Sequence, residues 1–231
     1  MLINIIMKPS GLILTIGLIF VGNLLFAQQV KLSEDNLHPF QVSVSLEKLM
    51  GRDALKVIKD SAIKAVDEPT FVKIKNIDFK NGTIEVKVLS RLLKTANSIA
   101  RGFIGIAFHI NEDHSKFESF YLRPTNGRAE DQVRRNHSIQ YYAYPDYKYD
   151  RLRKESPEMY ESYADMALNE WITIKLVVDG RQAKLYLNGN AQPSLIVNEL
   201  KLGGDKSGAI GLWVDVGTEG YFSELKVTPT N

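Results

Sequence analysis

Two neighbouring runs of the sequence bring together side chains that could do chemistry. In "RGFIGIAFHI" (101–110), Ile104, Ile106, Phe108 and Ile110 share one face of an alternating strand, leaving Arg101, Phe103, Gly105, Ala107 and His109 on the other. "KFESFYLR" (116–123) puts Ser119, Tyr121 and Arg123 on one face and Glu118, Phe120 and Leu122 opposite. If the two strands pair antiparallel, Gly105 and Ala107 form a shallow floor bordered by His109, Tyr121 and Arg123. Rings that accept the apolar side of a sugar, beside fixed partners for its hydroxyls, are what an extended saccharide requires. A solvated sheet face with a hydrogen-bonded histidine is the competing reading, and the residue types leave both open.

The next segment, 124–165, supplies a second group of candidates. It leaves the Arg123 strand through Pro124 and Asn126-Gly127 and returns at Trp171. That is too long for a hairpin turn. Seven tyrosines lie between residues 141 and 163, a density unlike that of a solvating tail, and "HSIQYYAYP" can itself be a strand. Arg128, Arg134, Arg135, Arg151 and Arg153 face a comparable stock of acids. Surface ion pairs contribute only about 0–1 kcal/mol each, so the tyrosines must do most of the anchoring. The segment is therefore expected to be an ordered flap. As the wall of a cleft it would hold Arg123, Arg135, Asn136, His137, Tyr141 and Tyr144 nearest a ligand; a purely structural cover is the alternative. Glycoside cleavage needs two carboxyls at fixed separation across the bond. The candidates for that work are Glu130, Asp131 and Glu155 of the flap, with His109 as a possible acid or base.

Strands must position these groups. "FQVSVSL" (40–46) alternates; residues 53–66 fit a helical stripe as well as a strand, with the strand favoured for 54–58. "TIEVKV" (83–88) follows Asn81-Gly82, which supplies the positive φ angles of a tight hairpin turn after "FVKIKNIDF". A second hairpin is expected where "WITIKLVV" turns at Asp179-Gly180 into "RQAKLYLNG". "GAIGLWVDV" and "YFSELKV" close the chain, with Trp213 and Asp215 pointing away from the face of Ile210, Leu212, Val214 and Val216. About ten to twelve strands without a long helix indicate an all-β fold, an antiparallel two-sheet jelly-roll sandwich carrying a long inserted loop.

The chain has 231 residues, enough for one medium domain. Residues 1–27 carry one cation, Lys8, then an apolar run ending at Leu25 and Ala27, the pattern of a cleaved signal peptide. Export to a secreted or periplasmic location is expected, leaving residues 28–231 as the sandwich domain without a membrane attachment. Cysteine is absent, which excludes disulfides and thiolate chemistry. The formal charge is +2, falling to +1 without Lys8, so there is no electrostatic case for nucleic acid. Asn111–His114 reads as a polar turn rather than a calcium loop, and no cofactor is indicated. Asn81 and Asn136 begin Asn-x-Ser/Thr triplets, which accept glycans only in a eukaryotic host.

Trp171, Asn188-Gly189, "GAIGL" (208–212) and Tyr221-Phe222, with "RGFIGIAFHI" before them, resemble the concanavalin-A-like lectin/glucanase superfamily, including laminin-G-like and 3-keto-disaccharide hydrolase-like domains. The resemblance covers roughly residues 70–228. It implies the sandwich fold and three function classes: a carbohydrate-binding domain, a 3-keto-disaccharide hydrolase and a protein-binding adhesive module. The chain lacks the Glu-x-Asp-x-x-Glu run of laminarinase-type enzymes on that fold, as well as zinc-protease and nucleophile-elbow motifs. Binding is accordingly ranked ahead of catalysis.

Overall fold

A computed structural model describes residues 28–230; the expected signal peptide lies outside the described residues. The strands of the first half are β1 (Gln28–Gln29), β2 (Leu37–Phe40), β3 (Val42–Leu49), β4 (Arg52–Lys59), β5 (Phe71–Ile74), β6 (Asn81–Leu92) and β7 (Ile104–Ile110). They continue with β8 (Phe117–Leu122), β9 (Ile139–Tyr144), β10 (Glu161–Ser162), β11 (Ile172–Asp179), β12 (Gln182–Leu187), β13 (Leu195–Val197), β14 (Ala209–Val214) and β15 (Thr218–Thr230). Three short helices, α1 (Pro124–Gly127), α2 (Gln132–Asn136) and α3 (Tyr149–Glu155), interrupt them. Among the described residues no helix is long and apolar enough to cross a membrane.

The strands form two antiparallel sheets. The first has the order β13-β12-β11-β6-β15-β4-β3, with β1 added on β15; the second runs β10-β9-β8-β7-β14-β5-β2. The alternation of the sequence sets which side chains face inward. Ile84, Val86 and Val88 of β6, Ile172, Ile174, Leu176 and Val178 of β11, and Ala183, Leu185 and Leu187 of β12 are all buried. They share one core cluster with Ile104, Ile106, Phe108, Phe120, Leu122 and Ile139 of the second sheet. Each such side chain contributes about 1.5–3 kcal/mol by leaving water, so this core supplies the stability that disulfides cannot.

The hairpin at Asp179-Gly180 forms as expected, with Val178 opposite Ala183 and Gly180 at φ +55°. Residues 52–59 are strand, as favoured, and the chain from Asp60 to Thr70 is irregular. Asn81-Gly82 is not a hairpin turn. β5 pairs with β14 and β2 in the second sheet, whereas Asn81 and Gly82 already lie in β6 opposite Thr230 and Pro229. The chain crosses between sheets here, and the local turn preference was overridden by the partners available to β5. Gly82 serves a different need: a Cβ on it would stand 2.2 Å from the Thr228 carbonyl oxygen. The Asn81 side chain accepts a hydrogen bond from the Gly180 amide (2.9 Å), bracing the true hairpin.

Segment 124–165 is ordered, as expected, and part of it joins the second sheet. β9 and β10 extend the second sheet, and β9 pairs along β8 with Tyr121 opposite Gln140.

Candidate functional site

The expected trough over Gly105 and Ala107 is filled. Gly105 lies in register between Tyr121 of β8 and Trp213 of β14. Lacking a side chain, it lets those two rings meet above it, 4.9 Å between centroids. Tyr142 packs on both, 5.7 Å from Tyr121 and 5.6 Å from Trp213. The loop before β5 covers this aromatic layer, and the Trp213 indole donates to the Glu68 carbonyl (2.9 Å).

His109 does not border that face. The β7–β14 register shifts between Ala209 and Gly211, and His109 takes φ +54°. This bulge turns the imidazole toward the face of Glu118. There it is 2 % exposed, with Nδ1 2.8 Å from Glu118 Oε2 and Nε2 2.9 Å from the Lys80 carbonyl. Tyr141 joins the same interior group: its hydroxyl donates to Glu118 Oε1 (2.5 Å) and accepts from the Lys201 amide (2.7 Å). Tyr141 and Glu118 pin the 199–203 loop to the second sheet, His109 ties in the Lys80 carbonyl, and none of the three hydrogen-bonds to Arg123.

An open cavity lies at the end of the second sheet, beyond the aromatic layer. It has a volume of about 320 Å³ and is lined by Phe103, Tyr121, Tyr149, Arg123, Asp67 and Asp215, among others. Each lining group has an identifiable positioning element. Tyr121 and Arg123 come from the end of β8, Tyr149 and Arg153 from α3, Asp215 from the residue after β14, and Asp67 from the loop before β5. Arg123 is fixed on all sides. It donates to the Tyr121 hydroxyl (2.8 Å), Gln140 Oε1 (3.1 Å), the His137 carbonyl (3.1 Å) and Glu161 Oε1 (3.2 Å). Its guanidinium carbon also lies 4.9 Å from the Tyr121 ring centroid and 5.7 Å from that of Tyr149.

Two aspartates meet at the inner wall. Asp215 accepts from the buried Lys59 ammonium (2.5 Å), from the Asp67 amide (2.9 Å) and from the Val216 amide (2.7 Å). Asp67 accepts from the Tyr149 amide (3.1 Å). Burial first, and the Asp215 charge second, raise the Asp67 carboxyl from 3.8 to about 7. Within the cavity, then, one carboxyl is poised to hold a proton near neutrality. At the opposite side, burial alone would raise Glu161, but the Arg153 hydrogen bonds and the Arg123, Arg153 and His137 charges outweigh it and hold the carboxyl below the ordinary range.

Of the residues expected from sequence to lie nearest a ligand, Tyr121, Arg123 and His137 meet in this cavity. Arg135 packs over the Tyr163 ring and donates to its hydroxyl (3.0 Å), while Asn136 lines a separate hollow of about 280 Å³ with Val133, Glu158 and Tyr163. His137 and Glu161 stand between the two hollows, lining the second with Asn136 while binding Arg123 of the first. Tyr144 stacks on Phe117 at 5.2 Å and donates to Glu68 Oε2 (3.2 Å), outside the cavity. Glu130, Asp131 and Glu155 do not converge. Glu130 is exposed, Asp131 caps α2 by accepting from the Arg134 amide (2.9 Å), and Glu155 pairs with Arg151 one helical turn away (2.9 Å). Local helix formation claimed Asp131 and Glu155. The acids of the cavity are Asp67 and Asp215; the outward phase of β14 signalled the second, and nothing around "VDEPT" signalled the first. Among the described residues, no three His, Cys, Asp or Glu side chains converge to hold a metal ion.

No protein-family model matches the chain, and no curated protein matches it. Solved structures do resemble it. The carbohydrate-binding module CBM66 from Bacillus subtilis superposes with a TM-score of 0.52 at 11% identity, covering 82% of this chain and 97% of that one. A Bacillus subtilis protein with a galectin-like fold gives 0.52 at 10% identity, over 88% of this chain and 98% of its own. A Parabacteroides distasonis protein described as a candidate glycosyl hydrolase gives 0.50 at 12% identity, over 85% and 89%. At these identities the likeness speaks for the fold: the chain is an all-β, two-sheet sandwich of the kind seen in galectin-like domains and carbohydrate-binding modules.

Proposed function

We propose that this chain is an exported carbohydrate-binding domain whose ligand occupies the cavity between Arg123, Tyr149 and the Asp67–Asp215 pair. One observation carries the reading: the rings of Phe103, Tyr121 and Tyr149 share a pocket of about 320 Å³ with polar groups already held by hydrogen bonds. Pockets for small ligands start at about 300 Å³ and combine apolar walls with a few fixed polar groups. A sugar presents the complementary pattern, an apolar ring face edged by hydroxyls. The fold neighbours named for carbohydrate binding add weight to the same reading. The test is a glycan array followed by titration calorimetry of the full chain and of Tyr149→Ala. The reading expects a saccharide ligand whose affinity drops about tenfold or more in the variant. A saccharide bound equally well by both proteins would remove the cavity from the account.

A second reading, glycoside cleavage, is favoured by Asp67 alone. A carboxyl with a value of about 7 beside a carboxylate is suited to general-acid work. Asp67 would give its proton to the departing glycosidic oxygen as water adds at the anomeric carbon and loses its proton to solvent, since Asp215 lies beside Asp67 and is already engaged by Lys59 and two amides. Product analysis with glycosides and 3-keto-glycosides checks this: turnover abolished in Asp67→Asn supports cleavage, and absence of any product from the native chain leaves binding.

A further inference from the structure

The cavity carries more positive charge than its own acids balance. Four guanidiniums line it, those of Arg101, Arg123, Arg134 and Arg153. Glu161 sits between two of them, binding Arg123 and Arg153. Asp215 is engaged by Lys59 (2.5 Å). Arg101 and Arg134 are left over. Arg101 donates only to the carbonyls of Ser98 (2.6 Å) and Ala100 (2.8 Å), and Arg134 reaches the amide oxygen of Asn126 (3.3 Å). Among the described residues neither forms an ion pair with a carboxylate. They also oppose each other: burial first, then the charges of Arg134 and Arg123, make the Arg101 cation harder to hold.

Like charges gathered in a concave, partly desolvated space attract an anion, and the planar guanidinium fork matches a carboxylate or sulfate in two parallel hydrogen bonds. The chain as a whole is close to neutral, with a formal charge of +2, so this excess is local to the cavity rather than a property of the surface. Resting on the sugar-binding reading above, we infer that the preferred ligand is an acidic saccharide, bearing a carboxylate or sulfate that Arg101 and Arg134 receive while Tyr149 flanks the ring.

The experiment is titration calorimetry of the full chain with size-matched galacto-, galacturono- and sulfated galacto-oligosaccharides, and with inorganic sulfate alone, at low and moderate salt. Charge-assisted bonds of this kind correspond to about tenfold or more in affinity. The native chain should therefore bind one of the acidic series at least about tenfold more tightly than the neutral one, with the advantage shrinking as salt rises. Arg101→Gln and Arg134→Gln should each reduce that acid-over-neutral preference; because Arg134 is exposed on α2, its variant tests the idea even if Arg101→Gln fails to fold. Which acidic series binds identifies the anion. Neutral oligosaccharides binding as well as acidic ones, a preference untouched by both substitutions, or inorganic sulfate binding as tightly as the sulfated sugar would overturn the inference while leaving the sugar-binding reading in place. Failure of every oligosaccharide here together with a blank glycan array would remove that reading and this one together.

Discussion

The two sheets are built from similar strands yet treat their outer faces in opposite ways. In the first sheet, β11 alternates buried and open positions, with Lys175 exposed between the buried Ile174 and Leu176. In the second, every residue of β7 and β8 is buried. One face of that sheet meets the first sheet; the other is covered by the loop before β5 and by the segment around α3. Covering a second face requires partners for whatever polar groups lie there, and those polar groups are what furnish the cavity. The first sheet is scaffold in the simple sense. The second has a further layer on top, and the site opens where that layer stops.

The largest test of this contrast is Trp213→Ala. On a solvated sheet face the change would be mild, but beneath a covering layer it should cost about 4 kcal/mol in urea unfolding. Next, Glu161→Gln leaves Arg123 and Arg153 without their shared carboxylate and should cost about 3 kcal/mol. Native-like stability in that variant would mean the arginines had found other partners.

Asp67→Asn should show a smaller effect with a definite pH signature. The folded chain keeps the Asp67 proton up to about 7, whereas the unfolded chain releases it near 3.8. Between those values the folded state binds the extra proton, so its advantage is full at low pH and is lost as pH rises through about 7. Stability of the native chain relative to Asp67→Asn should therefore fall progressively from pH 4 to pH 8, with the loss complete once pH has passed about 7. A difference that stays flat with pH would mean the carboxyl is ionised throughout. The smallest effect belongs to the first sheet, where Lys175→Ala should change stability by no more than about 0.5 kcal/mol. If it costs as much as Trp213→Ala, the distinction between the sheets is lost.

What could be read beforehand follows the same division. The first sheet was legible because its alternation is clean and its hairpin turn carries a residue at positive φ, Gly180. The second sheet announced its strands but not its two-sided burial, since small and aromatic residues on the outer face of β7 and β8 look alike whether open or covered. His109 was misplaced because a bulge reverses the facing of everything beyond it, and a single residue at φ +54° has no sequence signature when it is not glycine. Asn81-Gly82 misled for the opposite reason: its local preference was genuine, but strand pairing across distant sequence overrode it. Asp215 could be placed on the outer face from its phase. Asp67 depended on how an irregular loop folds back, which no local pattern encodes.

The clasp between Asp67 and the Tyr149 amide joins positions 82 residues apart, and Lys148 fastens the same two segments by reaching Glu68 (2.5 Å) and the Val66 carbonyl (3.2 Å). The roof of the cavity is thus a seam between two loops, whereas the Met50-Gly51 turn between β3 and β4 stands clear, with Met50 exposed and nothing within 4 Å of where a Cβ on Gly51 would lie. Anyone grafting a tag or a linker into this protein should find the turn forgiving and the seam intolerant: a few inserted residues at 60–66 would leave both sheets standing and yet unbutton the chamber beneath them.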